Sequence, residues 1–192
     1  MPSREAPVKL IVYGSFNCPY SYLASLRADR LAAAGAAEVD WRAVVHDPAV
    51  PRSGLPVTGE LAQMFDRELA EIRGLVRQGE AYPARRPARQ PDTTLAVAAY
   101  AATQAGDANR IRHAVYDAFW ARGLDIGDPA VLASLGCAAR PPTTVMDRWR
   151  REWLSLGRPL VPMLVLPEGA VSRGLDALQR LGDLIPAVAD TS

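Results

Sequence analysis

The period of apolar and polar positions changes several times along the chain, and each change marks a boundary. Residues 8–13, Val-Lys-Leu-Ile-Val-Tyr, form a β-rich, mostly apolar run, the pattern of a strand covered on both faces. Gly14 to Asn17 interrupts it. The spacing then turns helical through Leu23, Leu26 and Leu31. Pro19 suits the first turn, where its missing N–H has no partner to lose, and Gly35 stops the element. Residues 38–45 alternate around Val39, Trp41, Ala43 and Val45, which predicts a second strand ending at His46-Asp47-Pro48. Strand, helix and strand in succession make a βαβ unit with parallel strands.

From Thr58 to Leu156 the pattern predicts helices and no strand. Thr58 opens one carrying Leu61, Phe65, Leu69, Ile72 and Val76;. Asp92 caps an alanine-rich helix reaching Gln104, and Asp107 precedes one with Ile111, Val115 and Phe119. Asp128-Pro129 starts a short helix, and Thr143 or Thr144 a last one with Met146, Trp149 and Trp153. The proline-arginine stretch 81–91 reads as a loop between two of them. Strand signals return at Met163–Leu166 and Ala170–Arg173 around Pro167-Glu168-Gly169, a hairpin signature;. A final helix follows from Leu175 to Ile185.

The order βαβ, helices, ββα predicts an α/β fold whose single sheet is assembled from distant segments. Residues 1–56 and 157–192 would form the sheet-bearing domain, with 57–156 inserted as a helical domain. Both parallel strands end at one edge of the sheet, and an antiparallel third strand begins there. Cys18, His46 and Val161-Pro162 are therefore expected at one rim, where open α/β sheets bind ligands.

Composition narrows the class. With 49% apolar and 22% charged residues, the chain is neither disordered nor membrane-like. No apolar run approaches the roughly 18–20 residues a bilayer requires, and the N-terminal stretch lacks a secretory signal pattern. These features place the protein in the cytoplasm, without a membrane partner. A net charge of +1 argues against a nucleic-acid partner. Two cysteines make no metal site on their own, and in a reducing compartment they are expected as free thiols.

Cys18 carries the chemistry. A thiol at a helix N-terminus meets unpaired N–H groups and the positive end of the dipole. That predicts a pKa lowered from about 8.5 towards roughly 3.5–7.5, with a further hydrogen bond from Ser21. Its thiolate would attack a disulfide and form a mixed disulfide.

The arrangement βαβ–helices–ββα, with "Cys18-Pro19-Tyr20-Ser21-Tyr22-Leu23" opening the first helix and "Gly157-Arg-Pro-Leu-Val-Pro162" before the third strand, resembles the DsbA-like branch of the thioredoxin superfamily. Kappa-class glutathione transferases and hydroxychromene-carboxylate isomerases share that branch. The segment from Trp120 to Leu132 and "Gly174-Leu-Asp176" are similar to the branch as well. The resemblance implies a thioredoxin-like fold with an inserted helical domain and a cis peptide before Pro162. It also implies substrate or glutathione contacts at Pro19, Tyr20, Val161, Pro162 and Asp176. Oxidoreductases of this branch carry Cys-x-x-Cys, and its glutathione-using enzymes carry serine first; this chain has cysteine first and serine second.

The expected function is thiol–disulfide exchange through Cys18 alone, supported by Ser21. Nothing would be tightly bound, and glutathione would serve as cosubstrate. The substrate is a small thiol or disulfide, or a protein disulfide, and a homodimer is left open. A kappa-like glutathione-dependent transferase or isomerase is the alternative, and a non-catalytic binding module the second. His46 is a candidate base or carboxylate ligand at the rim, or a solvated loop residue. Arg85, Arg86 and Arg89 are a candidate basic clamp. Cys137 reads as a structural cysteine or a distant resolving thiol, His113 as a surface or packing residue, and Trp149 and Trp153 as packing between the lobes.

Overall fold

The computed structural model describes residues 7–80, 82, 85–138 and 140–186. The elements in chain order are β1 (Val8–Gly14), α1 (Pro19–Ala33), β2 (Ala37–Ala43), β3 (Leu55–Pro56), α2 (Gly59–Leu75), β4 (Arg89–Gln90), α3 (Thr94–Ala101), α4 (Ala108–Trp120), α5 (Pro129–Ser134), α6 (Thr144–Ser155), β5 (Met163–Val165), β6 (Val171–Arg173) and α7 (Leu175–Asp183). A single 3-10 turn, Ala105–Asp107, leads into α4.

One four-stranded sheet runs in the order β2-β1-β5-β6. β1 and β2 are parallel, with Val8 opposite Ala37 and Gly14 opposite Ala43. β5 pairs antiparallel to β1 and to β6. The hairpin turn closes through Gly169, whose φ of 86° suits glycine;.

Alternation along β1 assigns its two faces. Leu10 and Val12 join Leu164 on one face, where α1 and α7 cover them with Leu23, Leu31, Leu178 and Leu181;. Tyr13 and Met163 point the other way, into a smaller cluster with Val44, Trp153 and Val161. Burying each such aliphatic side chain contributes about 1.5–3 kcal/mol. The main core continues from the sheet into the helices. Tyr22 stacks on Tyr116 at 5.0 Å between ring centroids, and Phe65 meets Trp120 edge-on at 6.3 Å. Gly14 is required where β1 ends, since a Cβ there would lie 2.3 Å from the Trp41 ring.

Five sequence expectations need correction. Arg89–Gln90 lies in the stretch read as strandless, yet it pairs antiparallel with Leu55–Pro56; two residues are too few to leave a periodic pattern. The alanine-rich helix stops at Ala101 instead of Gln104, and the final helix at Asp183 instead of Ile185. Asp92 stands one residue ahead of the Thr93 N-cap, and its carboxylate accepts from the Thr94 N–H and hydroxyl at 2.9 and 2.6 Å. Asp128 does cap its helix, accepting from the Ala130 N–H at 2.8 Å. Finally, α1 buries Arg27 while Leu26 is only half-buried, because this helix is enclosed by α2, α7 and the sheet.

Candidate active site

Cys18 is the N-cap of α1, with φ −100° and ψ 120°, and its side chain caps nothing. Pro19 follows at the first helical position. The turn that presents the thiol is held on all sides. The Cys18 N–H donates to the Ser15 carbonyl at 3.2 Å, and the Ser15 N–H to Ser21 Oγ at 3.2 Å. From α4, the Tyr116 hydroxyl reaches the Ser15 carbonyl at 3.2 Å, and the Trp120 indole N–H the Phe16 carbonyl at 3.0 Å. The helical segment thus positions the residues around Cys18.

The Cys18 thiol faces the carbonyl of Val161 at 4.0 Å, and the Val161–Pro162 peptide is cis. Cys18 keeps part of its surface accessible and packs against the smaller cluster. The Pro162 carbonyl accepts from the Gly174 N–H at 2.8 Å, which ties this loop to the start of α7. Asp176 is exposed in the first turn of that helix.

The thiol is not acidified. Burial pushes the Cys18 pKa up to about 11; the Ser21 hydroxyl and the Ser21 and Tyr20 N–H groups pull the other way by less, and the Glu68 charge adds to the rise. The expected lowering is overturned by magnitude. A helix end contributes about 0.3–1 kcal/mol, and about 2 at most, or some 1.5 pKa units at best. Burial can move a group by up to roughly 3–5 units. Ser21, fully buried, serves both the turn and the sulfur: its oxygen accepts from Ser15 while its proton is free to donate.

Residues that sequence reasoning missed surround this end of α1. The Tyr20 hydroxyl donates to the Glu71 carboxylate. The Tyr82 hydroxyl donates to the Pro19 carbonyl at 3.3 Å, and its ring lies 5.5 Å from Tyr22. Glu68 is half-buried, and burial first, then Glu71, raise its pKa. The one sequence signal was a pair of carboxylates three apart at the edge of the apolar stripe of α2. Burial, with the Glu71 hydrogen bond and charge, pushes Tyr20 up; burial likewise raises Tyr82.

The remaining candidates are scattered. His46 is exposed and reaches the rim through Trp153, its ring 6.4 Å away; crowding of the imidazole lowers its pKa. Trp153 is buried beside Val161, and Trp149 is half-buried between both clusters. Arg86 pairs with Asp66 at 2.6 Å, and Arg89 binds the Ser53 carbonyl. Arg85 and Arg86 line a cavity of about 440 Å³ with Trp120 and Arg122, so the three arginines do not converge on Cys18. Cys137 is a free thiol packed on the main core, whereas Cys18 packs on the smaller cluster. His113 pairs with Asp29 at 3.0 Å on the surface. Among the described residues no three His, Cys, Asp or Glu side chains converge as metal ligands, and no helix is long and apolar enough to cross a membrane.

A family model described as a DSBA-like thioredoxin domain matches residues 9–139. No curated protein sequence matches the chain. Among solved structures, the chain is similar to a probable DsbA oxidoreductase from Streptomyces coelicolor. There the identity is 20% and the TM-score 0.71, over 93% of this chain and 88% of that one. It is also similar to the cytosolic disulfide reductase DsbM from Pseudomonas aeruginosa, solved with glutathione, at 19% identity and TM-score 0.65 over 92% and 95%. A 2-hydroxychromene-2-carboxylate isomerase gives 17% identity and TM-score 0.64 over 92% and 93%.

Proposed function

Because this chain belongs to the DSBA-like thioredoxin domain family, we propose that it exchanges thiols and disulfides through Cys18 alone, with glutathione returning the enzyme to its resting state. One observation carries the reading: a partly accessible thiol at the start of α1 lies against the Val161 carbonyl, and a serine, Ser21, stands where a resolving cysteine would. Cys18 loses its proton to solvent, and its sulfur bonds to one sulfur of the substrate disulfide. The S–S bond breaks, and the departing half takes up a proton as a free thiol. Glutathione then attacks the mixed disulfide, releases Cys18 as a thiol and leaves as a disulfide with the first half of the substrate. The exposed main chain around Val161 and the start of α7 at Asp176 are where an extended substrate or glutathione would lie. The cytosolic, glutathione-bound neighbour supports glutathione use and a cytoplasmic setting.

The resting thiol favours a second reading by one specific observation. With burial holding its pKa well above neutral, near 11, Cys18 rests as a protonated thiol, a hydrogen-bond donor aimed at the Val161 carbonyl. A donor of that kind would stabilise a glutathione thiolate, as serine does in the glutathione-using enzymes the chain resembles, and the isomerase neighbour fits this use.

Incubation with oxidised glutathione, followed by mass spectrometry of wild type and Cys18→Ser, separates the two. Exchange through Cys18 predicts one glutathione adduct, lost in the serine variant. Bound glutathione without any adduct, retained in Cys18→Ser, would replace it with the second reading. Neither adduct nor binding would leave a non-catalytic module.

A further inference from the structure

One buried charge is not used by the exchange. Arg112 lies buried on α4, where its guanidinium donates to the Asp29 carboxylate of α1 and stacks over the Trp41 ring, 5.1 Å from the centroid. A buried ion pair is a weak source of stability, because desolvating the charges offsets their attraction; its best-attested use is to fix register. Arg112 is also the first of three residues at four-residue spacing, with Tyr116 and Trp120, and such residues share one face of a helix. All three are buried, and each donates to the stretch Ser15–Asp29 that carries Cys18.

The contacts fall in reverse order along the two segments. Arg112 meets Asp29 towards the far end of α1. The Tyr116 hydroxyl donates to the Ser15 carbonyl at 3.2 Å, and the Trp120 indole N–H to the Phe16 carbonyl at 3.0 Å. α4 therefore runs antiparallel to α1, and the three donors span about 12 Å of it. Tyr22 of α1 stacks on both rings, at 5.0 Å from Tyr116 and 6.5 Å from Trp120. Ser15 and Phe16 belong to the turn that the Cys18 N–H closes on the Ser15 carbonyl. A slip of α4 by one turn, about 5.4 Å, would carry both donors off these carbonyls.

We infer that the Arg112–Asp29 pair sets the register of α4, and that Tyr116 and Trp120, held in that register, are positioning residues that aim the Cys18 sulfur at a disulfide lying along Val161–Pro162. The inference rests on Cys18 acting as the nucleophile, and it names what fixes that nucleophile in place. All three side chains are buried, so they act through the Ser15 and Phe16 carbonyls. Attack on a disulfide has to come in line with the S–S bond, and a misplacement of about 1 Å can cost about a hundredfold in rate. A small alkylating reagent makes no such demand on the surrounding chain.

The test compares two reagents on the Cys137→Ser protein at one pH. Oxidised glutathione bonds to Cys18 through one sulfur and releases glutathione from the other; iodoacetamide alkylates the same sulfur and releases iodide. Both consume the thiolate, so the ratio of their rates cancels a change in ionisation and reports positioning. Tyr116→Phe, which removes one hydroxyl, and Trp120→Phe, which removes the indole N–H, should each lower the glutathione-to-iodoacetamide ratio by about tenfold. Arg112→Met combined with Asp29→Leu replaces the ion pair by apolar side chains. It should leave the urea midpoint at or above that of the parent and lower the ratio as far as the other two. Arg112→Lys keeps the charge without the planar fork; it should give a smaller fall, and it carries the register test wherever the double variant does not fold. Arg110→Ala, at an exposed position of α4, should change nothing. A ratio unmoved by Tyr116→Phe and Trp120→Phe, or one that falls only in step with the urea midpoint, overturns the positioning role and leaves the exchange reading in place. A ratio that falls in these two but not in the Arg112 variants overturns the register role. A parent protein that forms no glutathione adduct overturns the exchange reading itself.

Discussion

The two ends of α1 are both buried polar sites, and they are treated in opposite ways. Near its last turns Arg27, 2% exposed, donates to Glu80 Oε1 at 2.8 Å and Oε2 at 3.1 Å, to the Leu178 carbonyl at 2.8 Å and to the Leu75 carbonyl at 2.7 Å. Glu80 also accepts from the Arg77 N–H at 2.8 Å. Arg27 and Glu80 satisfy each other, and the network joins α1, α2 and α7. At the first turn, the Cys18 thiol is partly accessible and reaches the Val161 carbonyl only at 4.0 Å. The satisfied end fixes the helix, and the other end leaves a thiol in reach of solvent.

The largest effect expected from breaking the satisfied end comes from Arg27→Ala. It leaves Glu80 buried with only the more distant Arg30, at 3.8 Å, and should cost about 3 kcal/mol in urea unfolding. The matched change at the other end, Ser21→Ala, removes the acceptor for the Ser15 N–H and should cost about 1–3 kcal/mol, while raising the Cys18 pKa further because the lowering influence of the Ser21 hydroxyl is lost. Acid sharpens the contrast with a smaller effect. Burial alone would raise Glu80, but its hydrogen bonds from Arg27 and the Arg77 N–H, and the charges of Arg27 and Arg30, more than offset it and hold the carboxyl below its ordinary value. A depressed folded value means the contribution is complete above the unfolded Glu value, near 4.5, and is lost as pH falls through the folded one. Glu80→Gln should flatten that part of the stability–pH curve. The smallest effect belongs to His46→Ala, an exposed rim residue, which should change stability by no more than about 0.5 kcal/mol and leave Cys18 reactivity as it was.

What could be read from the sequence was what local patterning encodes. The β-rich run before Cys18, Pro19 at the first helical position and the hairpin at Pro167–Gly169 placed the thiol and the Val161–Pro162 segment at one rim before any coordinates. The helix-end effect on Cys18 was legible for the same reason, since it depends on neighbouring residues. Burial of the sulfur was not, because it comes from side chains far along the chain, and it reversed the direction of the pKa. Arg27 and Arg112 are both 2% exposed, where hydropathy assigns arginine to the surface. Their partners, Glu80 for Arg27 and Asp29 for Arg112, lie dozens of residues away. Glu68, Glu71 and Tyr82 were missed because only the packing of α2 and the following segment against α1 brings them to the thiol.

The most direct test of a neutral resting thiol is the rate of Cys18 alkylation by iodoacetamide in Cys137→Ser, followed from neutral to strongly alkaline pH. The account predicts a midpoint well above the ordinary thiol value of 9.0, near 11, in the protein without substrate. A midpoint at or below pH 8 would contradict it, and would mean that the amides at the start of α1 govern the sulfur after all.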